Sequence, residues 1–310
     1  MLDVRRLRLL RELAHRGTIA AVAQAMGFSA SAVSQQLSVL EREAGVPLLE
    51  RTGRRVRLTP AGQNLARHAE AILERLELAD AELIGARRGL TGPLRIGTFP
   101  TAARAILPAA LTTLAQRHPG LEPMVSEIDP AAIADALRAG ELEVALIHDY
   151  DFVPRRSEPG VATEPLFSES MYLASPPLSP PVLPPPVSAV GADSSVIAGH
   201  AEAAWITASP GTACYEMTVH ACQAAGFTPR ARHRIDEFAS VLALVAAGQG
   251  VALVPQLGTI DTPPGVVLTP VSIRRRTGIA IRSGAARHPA VAAITEALRD
   301  TIPSGLETDG

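Results

Sequence analysis

Lysine is missing from this chain: all 29 basic side chains are arginine. Aromatics make up 3%, against 47% apolar residues overall, so Leu, Val, Ala and Ile must fill the cores. Cysteine occurs twice, at Cys214 and Cys222. Two cysteines cannot build a disulfide framework, and their spacing is no metal-site pattern. Eight positions apart on one helix, they would sit about 12 Å apart, too far for a disulfide. They read as two small buried residues. No apolar run reaches the ~20 residues of a membrane span. The longest candidate, Val241 to Pro255, is cut by Gly248-Gln249-Gly250. The first sixteen residues carry five Arg and no apolar signal core, which predicts a cytoplasmic protein with no membrane partner. The eight His show no metal-ligand spacing, and no nucleophile motif or phosphate-binding glycine loop follows a strand. No catalytic residue, metal site or cofactor is therefore expected.

What is present is length and an uneven charge. A chain of 310 residues predicts two or three domains. The net charge of -2 hides a contrast. Residues 1–60 hold ten Arg against five acids, while the remainder is acidic. A basic block on an acidic body suggests a nucleic-acid-binding head.

That head has internal punctuation. Leu2 to Arg16 is amphipathic and is ended by Gly17. Thr18 can cap a second helix, in which Ile19, Val22, Ala23 and Met26 form one stripe. Gly27-Phe28-Ser29 breaks the run, and Ser29 can cap a third helix. In that helix Val33, Leu37, Leu40 and Ala44 share one face. Ser31, Ser34, Gln35 and Ser38 share the other, a neutral donor–acceptor face suited to base edges. By itself this pattern also fits the solvated face of an ordinary three-helix bundle. After Gly45-Val46-Pro47, the runs 48–51 and 55–58 flank Thr52-Gly53-Arg54 and predict a short hairpin. Arg51, Arg54, Arg55 and Arg57 crowd this hairpin within seven residues, a density suited to phosphate, with a minor-groove insertion open to the tip.

The run from Leu2 to Gly62 resembles the winged helix-turn-helix head of LysR-type transcriptional regulators. SASAVSQQLSVLE at 29–41 and GVPLLERTGRRVRLTPAG at 45–62 carry the resemblance. The family often has Gln where this chain has Ala30 and Phe where it has Leu49, and the position of Gln35 is often Arg. The fold survives those departures, but the usual base contacts do not carry over directly. The DNA-facing set expected here is Thr18, Ser29, Ser31, Ser34, Gln35, Ser38, Arg51, Arg54 and Arg55, with double-stranded DNA as partner.

Thr59-Pro60 is a strong helix start. Leu65, Ala69, Ile72, Leu76, Ala79 and Leu83 then keep a heptad seam to about Arg88, which predicts pairing with a partner helix. In the resembled family this linker helix forms the dimer contact, so a homodimer reading two half-sites is expected. A tetramer and contact with RNA polymerase stay open. Gly89 to Pro93 is the hinge. Beyond it strands and helices alternate: a βαβαβ unit to Ile147, a crossing strand at 162–174, and a Pro-rich extended surface loop at 176–200. A second α/β unit follows, with strands 266–271 and 277–282 returning to the first. A final helix starts at Pro289. The fold class expected is thus α/β with a winged-helix head: head 1–58, linker helix and hinge 59–91, and a two-lobed, periplasmic-binding-protein-like effector domain 92–302. The lobes would be 92–161 with 272–302, and 162–271. A disordered tail would cover 303–310.

In such a body, ligands meet strand ends and helix N-termini at the interlobe cleft. Thr98, Thr101, Asp149, Ser209, Gly211 and Thr212 are the expected effector contacts. Thr101 and the 209–212 loop enter by resemblance to the family. Capping of their own helices is an equally good account of Thr101 and Thr212. Asp149 and Asp151 argue mildly against a strongly anionic ligand. The competing function is a solute-binding or transport-associated protein with an added helical head, against which the missing signal segment counts.

Overall fold

The computed structural model describes the chain outside residues 53–54, 86–89, 156, 178–195 and 309–310. Of residues 51–52, 55 and 84–85 it describes the backbone. In the head, helices α1 (Val4–Arg16), α2 (Ile19–Met26) and α3 (Ala30–Ala44) begin at side-chain caps. Asp3, Thr18 and Ser29 accept backbone N–H groups of Arg5, Ala21 and Ala32 at 2.7, 3.2 and 3.1 Å. Each such cap stabilises its helix by about 1 kcal/mol. All three helices end in a left-handed glycine, Gly17, Gly27 and Gly45. Leu10, Val22, Val33, Leu37 and Leu40 close one core between them. Strands β1 (Leu49–Thr52) and β2 (Arg55–Leu58) pair antiparallel, with Leu49 opposite Leu58. The Glu41 carboxylate accepts the N–H groups of both Leu48 and Leu49 at 2.9 Å and so ties the hairpin to α3.

Helix α4 (Pro60–Gly85) starts where Thr59 accepts the Gly62 N–H at 3.0 Å and donates to the Pro47 carbonyl at 2.8 Å. Gly62 is required there, since a Cβ would lie 2.2 Å from the Leu48 carbonyl oxygen. The heptad seam divides along this helix. Leu65 and Ala69 pack into the head. Ile72, Leu76 and Leu83 are 38%, 42% and 68% exposed, on one stripe of the helix. Leu73 and Ala81, on the opposite side, are buried against the body.

The body is built on one six-stranded sheet in the order β4-β3-β5-β10-β6-β9. Strands β3 (Gly92–Thr98), β4 (Leu121–Glu127) and β5 (Val144–Tyr150) are parallel neighbours. Helices α5 (Pro100–Ala105), α6 (Leu107–Arg117) and α7 (Ile133–Ala139) connect them. The helix expected at 102–118, with a kink open at Pro108, is two helices, because Pro108 cannot donate to the previous turn and starts a new one. Two long strands, β6 (Val161–Ser175) and β10 (Val267–Arg282), pair antiparallel along almost their whole length. Phe167 and Ile279 at one end belong to the first lobe's core, and Leu173 and Val271 at the other end to the second's. The separate strands 266–271 and 277–282 are thus one strand. Arg274, Arg275 and Arg276 between them stay extended because each finds an acidic partner.

The second lobe adds β7 (Ala204–Thr207), α8 (Ala213–Ala224), β8 (Arg230–Arg234), α9 (Phe238–Ala246) and β9 (Ala252–Pro255). Val251 joins β7 to β9 by two backbone hydrogen bonds of 2.9 Å. Gly250 sits under that junction, where a Cβ would meet the Ala204 carbonyl at 2.5 Å. Helix α10 (Pro289–Asp300) packs on α6. Of the loop expected at 176–200, residues 178–195 lie outside the described residues, and 196–198 form a helical turn held by buried Ile197. Of the tail expected to be disordered at 303–310, residues 309–310 lie outside the described residues, and 303–308 are ordered against the body. Glu307 exchanges backbone hydrogen bonds of 2.7 and 3.0 Å with Ser168, and Leu306 packs on the first core. Ser168 lies on a strand edge with free backbone groups, which the tail satisfies.

Candidate DNA-reading surface and interlobe site

The outer face of α3 is open. Ser31, Gln35 and Ser38 are exposed and Ser34 is half-buried. Ser31 Oγ lies 3.0 Å from Ser29 Oγ. Thr18 and Ser29 are exposed, and each is engaged as a helix cap. In the hairpin, Arg51 and Arg55 are described by backbone alone, opposite Val56 and Thr52. Arg54 lies outside the described residues. Arg57 is exposed on β2, opposite Glu50. Neutral hydrogen-bonding groups flanked by arginine can read base edges and hold phosphate at once.

Between the lobes, the six expected effector residues part company. Thr98 is fully buried, and its hydroxyl turns to the Phe99 carbonyl at 3.4 Å. Thr101 is buried, and its hydroxyl accepts from Arg275 Nη2 at 2.9 Å. Ser209 donates its backbone N–H and its hydroxyl to Asp236 at 2.8 and 2.7 Å. Thr212 caps α8, accepting from the Tyr215 N–H at 3.2 Å and donating to the Ser209 carbonyl at 2.8 Å. Asp149 and Gly211 do line a cavity of about 480 Å³. Its walls are α7 of the first lobe, the end of β5 and the start of α8, with His148, Arg155 and Glu216 among them. Asp149 and Asp151 are both held by Arg276, at 2.8 and 2.5 Å. One guanidinium thus offsets part of the charge of two carboxylates.

The middle of the interlobe region is filled by the chain itself. Arg275, 1% exposed, bonds Glu169 with Nη2 at 2.7 Å and Nε at 2.8 Å. The guanidinium lies 5.2 Å from the Phe99 ring centre. The other Glu169 oxygen accepts the Leu257 N–H at 2.7 Å. His148 stands edge-on between Phe99 and Tyr150 at 4.6 and 5.5 Å. Burial, helped by Arg275, pushes the His148 pKa down to about 3, so the ring is neutral. Sequence reasoning singled out 148–150 as one end of the cleft but missed Arg275 and Glu169. A charged residue inside an otherwise apolar strand, such as Glu169 in PLFSESMYLA, is the signal that could have found the pair.

Burial also raises both thiols. Cys214 moves up to about 11, against the pull of a Tyr150 hydrogen bond and Arg275. Cys222 moves up to about 12. Both are free cysteines; Cys222 is buried as expected, whereas Cys214 is half-buried. Among the described residues no group of His, Cys, Asp and Glu is arranged to hold a metal ion. No helix of the described residues is long and apolar enough to cross a membrane.

Known proteins share both parts of this chain. Residues 4–63 match the model of the bacterial regulatory helix-turn-helix protein, lysR family. Residues 87–303 match that of the LysR substrate binding domain. A probable hydrogen peroxide-inducible genes activator of Streptomyces viridosporus is 33% identical over 289 residues, covering 90% of this chain and 88% of the relative. The probable HTH-type transcriptional regulator LrrA of Synechococcus elongatus is 28% identical, covering 97% and 98%. Among solved structures, a mutant of Corynebacterium glutamicum OxyR superposes with a TM-score of 0.57 at 26% identity, covering 97% of this chain and 92% of that one. Full-length CbnR in complex with its target DNA shares the fold, with a TM-score of 0.53 at 22% identity. With a helix-turn-helix head on a two-lobed effector-binding body, the chain belongs to the LysR family of DNA-binding transcriptional regulators and is not an enzyme.

Proposed function

We propose that the family's activity is divided here among three units: head 1–58, linker helix 59–91 and effector domain 92–302. The outer face of α3 reads bases through Ser31, Ser34, Gln35 and Ser38, while Arg51, Arg54 and Arg55 hold phosphate. Thr18 and Ser29 act at the helix starts, where their caps fix the angle of α2 and α3. The protein works in the cytoplasm as a homodimer. The exposed, neutral face of α3 beside an arginine-rich hairpin is the observation that carries the DNA assignment. Gel-shift titration against fragments of the source genome tests it. Sequence-selective binding that survives competitor DNA, and falls at least tenfold in Gln35→Ala, is the expected result. Equal affinity for every fragment would sink the assignment. A tenfold loss is what one good base contact supplies.

The effector occupies the cavity between α7 and the start of α8, with Asp149 and Gly211 in its wall. Thr98, Thr101, Ser209 and Thr212 serve that cavity by fixing its frame, since their hydroxyls are already engaged. Several relatives are named as peroxide-inducible activators. We infer that the signal here is instead a small molecule bound without covalent change. Thiols raised to about 11 and 12 are almost fully protonated at neutral pH and react slowly. Mass spectrometry after dilute peroxide checks this: both thiols should remain reduced and operator affinity unchanged. Rapid oxidation of Cys214 with altered binding would overturn it.

A further inference from the structure

The head does not stand clear of the body. Arg16, at the end of α1, donates to Asp135 on α7 at 2.8 Å. The same guanidinium holds Glu12 at 2.8 Å, and Glu12, fully buried, also takes Arg11 at 2.7 Å. Asp135 in turn accepts from Arg138 on α7 at 2.5 Å, and Arg138 reaches Glu158 at 3.9 Å. A second tie meets the other end of α7. Arg282 donates to the Leu137 carbonyl at 3.1 Å and to Glu77 of α4 at 3.1 Å. The fit between the surfaces is close. At Gly160 an added Cβ would stand 2.6 Å from Glu70 of α4. Helix α7 is therefore held by the head at one end and by the linker helix at the other.

The same helix forms a wall of the interlobe cavity. Asp135, Arg138 and Glu158 line it. Asp135, which docks the head, and Arg138, which holds Asp135, are thus within reach of whatever fills the cavity. We propose that α7 is the relay between effector and head, and that its Asp135–Arg16 bond is a latch that a ligand engaging Asp135 or Arg138 opens. This rests on the cavity assigned above as the effector site. The latch shifts with ligand because the same carboxylate cannot satisfy both partners fully, so the ligand binds docked and undocked heads with different affinity.

Hydrogen exchange on the full-length protein tests the relay without knowledge of the effector. Asp135→Asn and Arg16→Gln should each speed exchange of the amides at 12–16 and 133–139 by about five-fold, the lower end of ordinary site-to-site coupling. The double variant should add nothing to Arg16→Gln alone, which also releases Glu12. Glu158→Gln, which alters the cavity side alone, should speed the amides at 12–16 in the same direction. Unchanged exchange at 12–16 in Asp135→Asn, additivity in the double variant, or a silent Glu158→Gln would each overturn the relay. The circular dichroism spectrum confirms that each variant is folded. Wild-type protein that fails to bind any genomic fragment would overturn the DNA assignment and leave this inference standing.

Discussion

Head and body use the one basic residue of this chain in opposite ways. In the head, Arg5, Arg8, Arg42 and Arg57 are exposed. In the body, Arg275 is 1% exposed and Arg138 9%, each inside an acidic cluster. The guanidinium is always charged and offers five donors in a planar fork, so it suits both tasks. Exposed, it holds phosphate and gives binding that falls with salt. Buried, it needs partners inside the protein, and Glu169 with Thr101 takes Nε and Nη2 of Arg275. Charge on the outer face of the head is left free for a partner, while Arg11 and Arg16 behind it, like Arg275 and Arg138 in the body, are consumed by the fold.

Substitutions that cross this divide should differ in kind as well as size. Arg275→Ala leaves Glu169 buried without its counter-ion, and should cost about 3–5 kcal/mol in urea unfolding of the body. A loss below 1 kcal/mol would show that the pair is dispensable. Next in size, Ile72→Glu with Leu76→Glu places charge on the exposed stripe of α4. Light scattering should then give the monomer mass where the wild type gives the dimer, since a heptad seam does not close over charge.

His15 offers a smaller test, at the junction of the two regions. Burial first, and then Arg138, hold its pKa down to about 4 from 6.5. Glu12, Asp135, Arg11 and Glu70 also face the ring. Between pH 6.5 and about 4 the unfolded chain binds a proton that the folded protein refuses. Stability from this site is therefore full above pH 6.5 and is lost as pH falls toward 4. His15→Gln should flatten that part of the unfolding curve, and an unchanged slope would exclude His15 as its source. Least in size, Arg54→Ala should lower the salt dependence of DNA binding by about one unit of slope with little effect on stability, if it neutralises one phosphate. An unaltered slope in gel-shift titration would remove Arg54 from the contact set.

Legibility followed the range of the interactions. Thr18, Ser29 and Thr59 were readable as caps because a cap bonds an N–H two or three residues onward. The heptad seam was readable for the same reason, but its division was not. Only packing decides that Ala69 faces the head core while Leu76 faces outward. In the interlobe cavity, Gly211 was readable as a loop residue before a helix, whereas Asp149, expected just after a strand, lies inside β5. That the Thr101 hydroxyl is already taken was hidden, because its donor, Arg275, lies 174 positions away. The arginine run 274–276 looked like a break between strands and proved to be the middle of one, for the same cause.

The sequence by itself determined the caps, the glycine stops, the neutral face of α3, the alternation of strands and helices in the body, and through them the family. Each is written in residues within a turn or two of one another. Tertiary structure alone decided that β6 and β10 run through both lobes, that Glu307 completes the edge at Ser168, and that α7 bonds the head while lining the cavity. Such contacts join residues remote in the chain, and an ion pair or a strand edge leaves no local signature until its partner arrives.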